Sequence, residues 1–596
     1  MDDQNKNLLL ATALSFAVIL TWFLLFPPPE PTDPITDPNA ITELAPTATP
    51  EAAAGSTGTN VASQTVAEIR VPIETDRLMG TISLTGGRLD DLQLRDYSET
   101  IEDGSDNVHI LRPIGDLDPY YALYGWAPGA GLGLDDVPGA NTVWTLESGS
   151  TLTQTSPITL RWENGSGLIY RRTLEVDADF MFTVTQSVEN TGGATAVLAP
   201  YGIIARHGEP SDLKNFFVLH EGAIMMSDGE LTELDYGDMS DFEIMPSEGA
   251  RAEVQQVTSN GWIGFTDHYW MTTLVPAPGS PFKAVAKYVD ARNIYQTEAV
   301  HPTQTLAPGD SVSVTSQLFA GSKEWEAISA YDAAGVDRLE DSIDWGWFFF
   351  LTKPIFIVLH WLNGVIGNMG VAIVVLTLMI KAVLFPLAYR SYASMAKMKE
   401  LQPEIEKLKE RTGDDRQKLQ QEMMALYKKE KVNPASGCLP ILLQVPIFFS
   451  LYKVIFVTLD LRHAPFFGPF QDLSAPDPTS LFNIFGLLPW PGPEAGSIMA
   501  LVFIGILPLL LGISMWLQQK LNPAPTDATQ AMIFAWMPWV FMFMLGSFAS
   551  GLVVYWIANN IITFSQQYLI MRYQGYTPDV FGNIRSGFKR GGGDKT

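Results

Sequence analysis

Hydrophobic and polar positions divide this chain into three regimes. Residues 8–26 form a mainly apolar run behind a single lysine, Lys6. Across 66–320 the period is two: Thr173-Leu174-Glu175-Val176, the stretch 180–185 and Val312-Ser313-Val314 all alternate. Gly86-Gly87, Glu163-Asn164-Gly165 and Asn190-Thr191-Gly192-Gly193 punctuate these strands as turns. Many short strands at this spacing predict a sandwich of antiparallel sheets. Residues 323–341 switch to helical spacing at Trp325, Ile328, Tyr331 and Leu339, which predicts a closing helix. Beyond it come apolar runs at 366–387, 439–459, 499–519, 531–548 and 552–570. Each is close to the twenty or so residues that cross a bilayer. With 8–26 they make six spans. The stretch 481–488 is too short and proline-bounded for a seventh, and reads as a hairpin on the outer side.

The remaining segments follow from composition. Residues 27–65, rich in Pro, Thr, Ala and Gly, cannot bury enough surface to fold and read as a flexible linker. No small-residue cleavage site follows the first apolar run; Pro27-Pro28-Pro29-Glu30 does. Residues 1–26 therefore read as a signal anchor, with a cleaved signal as the alternative. Trp345, Trp347 and Phe348-Phe349-Phe350, with Lys353-Pro354, predict an interfacial amphipathic helix at 345–361. The domain plan is thus anchor, linker, β domain at 66–344, interfacial helix, five-span core at 362–570 and basic tail at 571–596.

Charge orients this plan. Between 27 and 344 there are 48 acidic and 16 basic residues, a balance of −32; the whole chain carries −27, so the remainder carries about +5. The loop 390–431 holds eleven Lys or Arg, and the tail holds Arg572, Arg585, Lys589, Arg590 and Lys595. The positive-inside rule puts loop, tail and N-terminus in the cytoplasm and the acidic β domain outside, as in a bacterial inner membrane. So acidic a domain is a poor partner for nucleic acid or an anionic lipid surface. The only cysteine is Cys438, so no intrachain disulfide exists.

Lys381 is the residue with the most to explain. It lies inside the run 366–387, with eight residues between it and Arg390. A charge deep in a span costs roughly 2.5–3.5 kcal/mol on insertion scales. Either its stem snorkels to the interface, or it faces a water-filled cavity within the bundle. No Asp or Glu lies in a span core to pair with it. Other polar residues share the spans: Thr377, Gln444, Ser450, Ser514, Gln518, Asn559, Asn560, Thr563, Gln566 and Gln567. Each can serve interhelical hydrogen bonding or line a hydrophilic groove.

The cytoplasmic loop predicts a helical hairpin. Met395, Met398, Leu401, Ile405 and Leu408 recur at three and four, as do Leu419, Met423, Leu426 and Tyr427. Thr412-Gly413-Asp414-Asp415 stops one helix and caps the next, and Gln402-Pro403 marks a kink or the hairpin base. Lys397, Lys399, Lys407, Lys409, Arg416 and Lys418 stand away from the apolar seam. They either fix topology or dock a cytoplasmic partner.

Chemistry is sparse. His207, His220-Glu221, Asp267-His268 and His301 form no recognised catalytic or metal spacing, and no nucleotide-binding motif occurs. A transporter reading lacks a coupling acid and an internal repeat. A scaffold reading leaves five clustered spans with buried polar groups unexplained.

Motifs then narrow the reading. Ser394-Met395-Ala396-Lys397-Met398, Leu401-Gln402-Pro403, Gln421-Glu422-Met423-Met424-Ala425-Leu426-Tyr427 and Lys431-Val432-Asn433-Pro434 resemble the YidC family of membrane-protein insertases, within the YidC/Oxa/Alb superfamily. So do Gly437-Cys438-Leu439-Pro440, Gln444-Val445-Pro446-Ile447-Phe448 and Ser550-Gly551-Leu552-Val553-Val554-Tyr555. The resemblance implies the Gram-negative form: an α-helical polytopic protein with an all-β periplasmic supersandwich. It implies an insertase and chaperone without covalent chemistry or cofactor. Nascent membrane proteins would enter a groove lined by Lys381, Gln444, Thr377, Ser514, Gln518, Asn559 and Thr563. Leu439, Pro440, Met537 and Pro538 would guide apolar segments into the phospholipid bilayer. It further implies a ribosome and targeting receptor at the hairpin, and the Sec translocon alongside. The family's groove cation is usually arginine in bacteria; here it is Lys381, which keeps the charge and loses the bidentate fork.

Overall fold

A computed structural model describes residues 69–576 and 578, except 212, 214–218, 414, 431, 433–438, 494–496, 498, 500, 501 and 523–527. The expected anchor, linker and most of the basic tail lie outside the described residues.

The predicted sandwich is present as two antiparallel sheets. One runs from Arg70–Glu74 through Leu78–Ser83, Arg88–Ser98, Tyr120–Pro128, Ala196–His207, Ile294–Val300, Phe282–Val289 and Ala250–Val257 to Ile244–Met245. The other runs from Glu230–Asp235 through Gly222–Ser227, Gly261–Thr266, Trp270–Pro276, Ser311–Ser322, Met181–Asn190, Leu168–Val176 and Ile158–Glu163 to Thr145–Ser148. Alternation sets the faces. In Leu168–Val176, Leu168, Tyr170, Arg172, Leu174 and Val176 are buried while the residues between them are not. Arg172 is the polar exception, 1% exposed. Its guanidinium donates to the Gly86 and Gly87 carbonyls at 3.2 and 2.7 Å and to the Tyr124 carbonyl, and lies 4.6 Å from the Trp144 ring. Gly87 has φ +60°, and a Cβ there would meet Arg172 Nη1 at 2.5 Å. The sequence turn at Gly86-Gly87 is therefore fixed by both backbone conformation and close approach.

The closing helix is shorter than the expected 323–341. Helix α1 spans Trp325–Ala333, and a 3-10 turn at Leu339–Ser342 follows. The helical part continues as α2 (Phe349–Ile366), α3 (Met369–Val383), α4 (Phe385–Glu400), α5 (Gln402–Thr412), α6 (Arg416–Lys429), α7 (Leu439–Val457), α8 (Ile506–Lys520), α9 (Ala528–Met544) and α10 (Ser550–Tyr573). Among the described residues, α2 is the one helix long and apolar enough to cross a membrane unbroken. The continuous span expected at 366–387 is not found: α3 and α4 meet at a 71° bend around Leu384. Pro386 explains it, because its ring removes an N–H donor and clashes with the preceding turn. The hairpin expected at 390–431 is α5 packed on α6. Its base is a break at Leu401 before Pro403, its tip is Gly413 at φ +56°, and Asp415 accepts the Lys418 N–H at 3.0 Å to start α6.

The β domain is joined to the helices by several polar contacts. Lys453, in α7, is 4% exposed and forms an ion pair with Asp344. That carboxylate also accepts the backbone N–H groups of His220 and Gly346, at 3.1 and 3.0 Å. The His268 Nε2–H donates to the Phe456 carbonyl at 2.6 Å, and Arg462 donates to the Ser98 carbonyl at 2.5 Å. His360 in α2 meets Glu326 at 2.6 Å and Asp460 at 2.7 Å. Trp325, Trp345 and Phe356 pack edge-to-face between them, with centroids 5.3–5.7 Å apart.

Breaking a buried pair leaves an uncompensated charge, at roughly 3–5 kcal/mol. Asp344 keeps two backbone donors and 19% side-chain exposure, so the lower end applies. Lys453→Met should therefore lower stability in detergent by about 3 kcal/mol, measured by denaturant unfolding. Adding Asp344→Asn should recover most of that loss. An unchanged midpoint in the single variant would show that the pair contributes nothing.

Candidate functional site

The helical bundle places Lys381 in the last turn of α3. That helix starts at Asn368, whose Oδ1 accepts the Val371 N–H at 3.0 Å and whose Nδ2 donates to the Phe466 carbonyl at 3.2 Å. Gly370 lets it pack closely, since a Cβ there would meet the Phe466 ring at 2.1 Å. After Val383 the chain turns away. At the bend the Leu384 N–H caps the Ile380 and Ala382 carbonyls. Gln566 Nε2 reaches the Lys381 carbonyl at 3.5 Å, a long contact from α10.

The Lys381 ammonium donates to Gln444 Oε1 at 3.0 Å, and Gln444 Nε2 donates to the Tyr555 hydroxyl oxygen at 2.8 Å. Three helices thus meet in one directed chain: α3, α7 and α10. Among the described residues, Lys381 makes no ion pair with a carboxylate. An ammonium has three donors, and Gln444 takes one. A hydrogen bond to a charged group contributes about 1.5–3 kcal/mol. That is comparable with the cost of a cation inside a span, about 2.5–3.5 kcal/mol, and it leaves two of the three donors without a partner among the described residues.

Helix α10 extends the polar path inside the bundle. Tyr555, Asn559 and Thr563 are four residues apart and so share one face. Asn559 Oδ1 and Thr563 Oγ1 are buried without a hydrogen-bond partner among the described residues. Such groups are costly unless water or another molecule meets them. Beside this face, Asn560 donates to Ser514 Oγ at 3.1 Å, and Ser514 donates to the Leu511 carbonyl at 2.8 Å. Gln567 donates to the Leu521 carbonyl and to Asn522 Oδ1, both at 3.2 Å. Ser514 is therefore an interhelical bond. Thr377 is turned back on its own helix, donating to the Ile373 carbonyl at 2.7 Å. Gln518 is half-buried one turn beyond Ser514.

Around this polar path the bundle surface is apolar and uncovered. Leu378, Val383, Leu442, Val445, Trp536, Val540, Ile561 and Leu569 are all exposed. Pro538 is buried and Met537 half-buried within α9. Leu439 and Pro440 open α7, but their side chains lie outside the described residues. On and near the hairpin, Lys397, Lys407, Lys409 and Lys418 are exposed, and the Arg416 side chain lies outside the described residues. Lys399 sits apart from this group: it is half-buried and donates to the Lys520 carbonyl at 3.0 Å, at the negative end of α8.

Two features escaped the reading of the sequence. Tyr555 was legible only as part of a motif, although it completes the Lys381 chain. Lys453 is a second lysine within an apolar run, and its ion pair with Asp344 makes it structural. The β-domain histidines are dispersed. His220 pairs with Asp235 at 2.9 Å, His268 bonds to α7, and burial lowers the His301 imidazole to a pKa of about 4. Asp267 is held by Arg206 at 2.7 and 2.8 Å. Among the described residues no group of three His, Cys, Asp or Glu is placed to hold a metal.

Comparison with known proteins gives a consistent result. Residues 70–358 match the YidC periplasmic domain, and residues 361–576 match the 60Kd inner membrane protein family. The membrane protein insertase YidC of Dinoroseobacter shibae is 68% identical, with 99% of each chain covered. That of Ruegeria pomeroyi is 66% identical, again with 99% of each covered. Among solved structures, an active YidC insertase with its first transmembrane domain resolved aligns over 84% of this chain and 93% of its own. The sequence identity there is 17% and the TM-score 0.35.

Proposed function

The chain belongs to the YidC family of membrane protein insertases, and from that premise we propose how its groove and surfaces act. It is an inner-membrane insertase with a periplasmic β domain. The face formed by Lys381, Gln444, Tyr555, Asn559 and Thr563 receives the hydrophilic segment of a nascent membrane protein. The observation that carries this reading is the incomplete solvation of Lys381. Its one protein partner among the described residues is a neutral amide, so donors remain for water or for a client carboxylate. Asn559 and Thr563 offer acceptors to a client's backbone N–H groups in the same path. The segment thereby crosses with part of its desolvation cost offset. Thr377, Ser514 and Gln518 support the walls. Leu439, Pro440, Met537 and Pro538 guide the apolar segment into lipid. No bond is made or broken.

We assign six spans, with both termini in the cytoplasm, and α2 lying in the outer interface. Three contacts support the placing of α2. Lys353 bonds Asp341 at 2.9 Å, His360 meets Glu326, and Asn368 just beyond the helix meets the Phe466 carbonyl. These lie at its start, middle and end, and all join it to the β domain or to the loop after α7. A helix tethered to one side along its length does not cross. The exposed lysines of the hairpin then face the cytoplasm, where they recruit a ribosome or targeting receptor. The Sec translocon is a lateral partner in this reading.

Two outcomes test it. In proteoliposomes, Lys381→Arg should keep insertion of a client with an acidic translocated segment, and Lys381→Ala should lower it several-fold. A client without acidic residues there should be less affected. Equal insertion of both clients by the alanine variant would reject the electrostatic role. For the hairpin, glutamine at Lys397, Lys407, Lys409 and Lys418 should weaken ribosome co-sedimentation at low salt. Folding should hold, because exposed charges contribute roughly 0–1 kcal/mol each. Wild-type binding should fall as salt screens the contact. Undiminished binding by the variant at low salt would leave topology as the reason for these charges.

A further inference from the structure

The chain between α7 and α8 contains a loop built unlike a water-facing one. From 478 to 493 it carries no charged residue. A single 3-10 turn, Leu481–Asn483, leads into Ile484 and Phe485, with φ +50° and +57°. A β-branched residue rarely adopts that left-handed conformation. Here it is held by bonds the loop makes to itself. The Phe485 N–H donates to the Ser480 carbonyl at 2.8 Å, and the Leu488 N–H to the Asn483 carbonyl at 3.0 Å. Asn483 Oδ1 accepts the Gly486 N–H at 3.0 Å, and its Nδ2 donates to the Trp490 carbonyl at 3.3 Å. Trp490 Nε1–H donates to the Phe482 carbonyl at 3.2 Å.

Polar groups are thus turned inward and apolar side chains outward. Leu487 is 82% exposed, with Leu481, Phe482, Ile484 and Trp490 exposed around it. The backbone N–H groups from Ile484 to Leu488 are all bonded within the loop while its apolar side chains face out, which suits the boundary between headgroups and acyl chains, where carbonyls still meet water. The loop is also anchored. The Leu481 N–H donates to the Ile504 carbonyl at 3.0 Å, and Asp477 accepts the Leu507 N–H at 2.7 Å at the start of α8. Its end of the bundle is the β-domain end, since the same connection carries Arg462, bonded to Ser98, and follows Phe456, bonded to His268. For a periplasmic β domain, that end meets the outer leaflet.

We propose that residues 478–493 form a wedge seated at the headgroup–acyl boundary of the outer leaflet, with the Leu487 side chain reaching the top of the acyl chains and Trp490 at headgroup level. The absence of charge suits no polar partner. This proposal rests on the membrane-embedded insertase reading.

The test uses the full-length protein with Cys438→Ser and Leu487→Cys, labelled with an environment-sensitive nitrobenzoxadiazole dye. It is reconstituted in phosphatidylcholine–phosphatidylglycerol vesicles. A matched protein labelled at Asp103→Cys, on an exposed turn of the β domain, is the water-facing control. The Leu487 label should emit to the blue of the control. Lipids spin-labelled high on the acyl chain should quench it several-fold more than they quench the control, and aqueous iodide several-fold less. Quenching by iodide equal to the control would overturn the proposal. Protection from both quenchers would overturn it too, showing that protein covers the loop. Insertion by the labelled protein is read in parallel. A water-exposed label in an active insertase rejects the wedge alone, whereas loss of insertion by the unlabelled wild type would reject the reading beneath it.

Discussion

An ammonium group inside an apolar bundle must be met by a charge, by dipoles or by water, and the rest of this structure follows from which it meets. The chain answers in two ways. Lys453 meets Asp344 in an ion pair that joins the β domain to α7. Lys381 meets the Gln444 amide. The first arrangement is saturated, and serves as a joint. The second keeps its net charge and two donors. In a medium of effective dielectric near 20, a carboxylate arriving within 4 Å would gain about 4 kcal/mol.

The surrounding helices make that arrangement possible. Asn368 and Gly370 fix the start of α3 against the Phe466 segment, and Pro386 ends its helical continuity soon after Lys381. Gln566 approaches the Lys381 carbonyl from α10. The same helix carries Tyr555, Asn559 and Thr563 on one face, and Tyr555 completes the chain that runs from Lys381 through Gln444. Gln444 lies on α7, which also carries Lys453 nine residues later, close to the β domain. The outer domain therefore grips the helix that holds Gln444, although it contributes nothing to the polar face itself.

Much of this was legible in the sequence, because the signals were local. Alternation at 173–185 gave the sandwich strands, and Gly86-Gly87 its turn. Gln402-Pro403 and Gly413-Asp414-Asp415 marked the ends of the hairpin helices. Lys381 stood out by charge alone. The misses have physical causes. A hydropathy reading counts Pro386 as one more apolar residue and does not register its missing N–H, so 366–387 read as one straight span. The missing N–H was the available signal. The pairing of Lys453 with Asp344 joins residues 109 apart, and that of Gln444 with Tyr555 joins residues 111 apart. No periodicity encodes such contacts. Thr377 and Ser514 were open to either hydrogen bonding or groove lining, and each donates its hydroxyl proton to a backbone carbonyl of its own helix.

The central claim is that the polar face of α10 touches the hydrophilic part of a client in transit. A photo-crosslinking amino acid in place of Thr563 tests this most directly, with a ribosome-stalled client whose hydrophilic and apolar segments are separately tagged. Adducts to the hydrophilic segment are expected at intermediate chain lengths, lost once insertion completes. Adducts confined to the apolar segment at every length would contradict it.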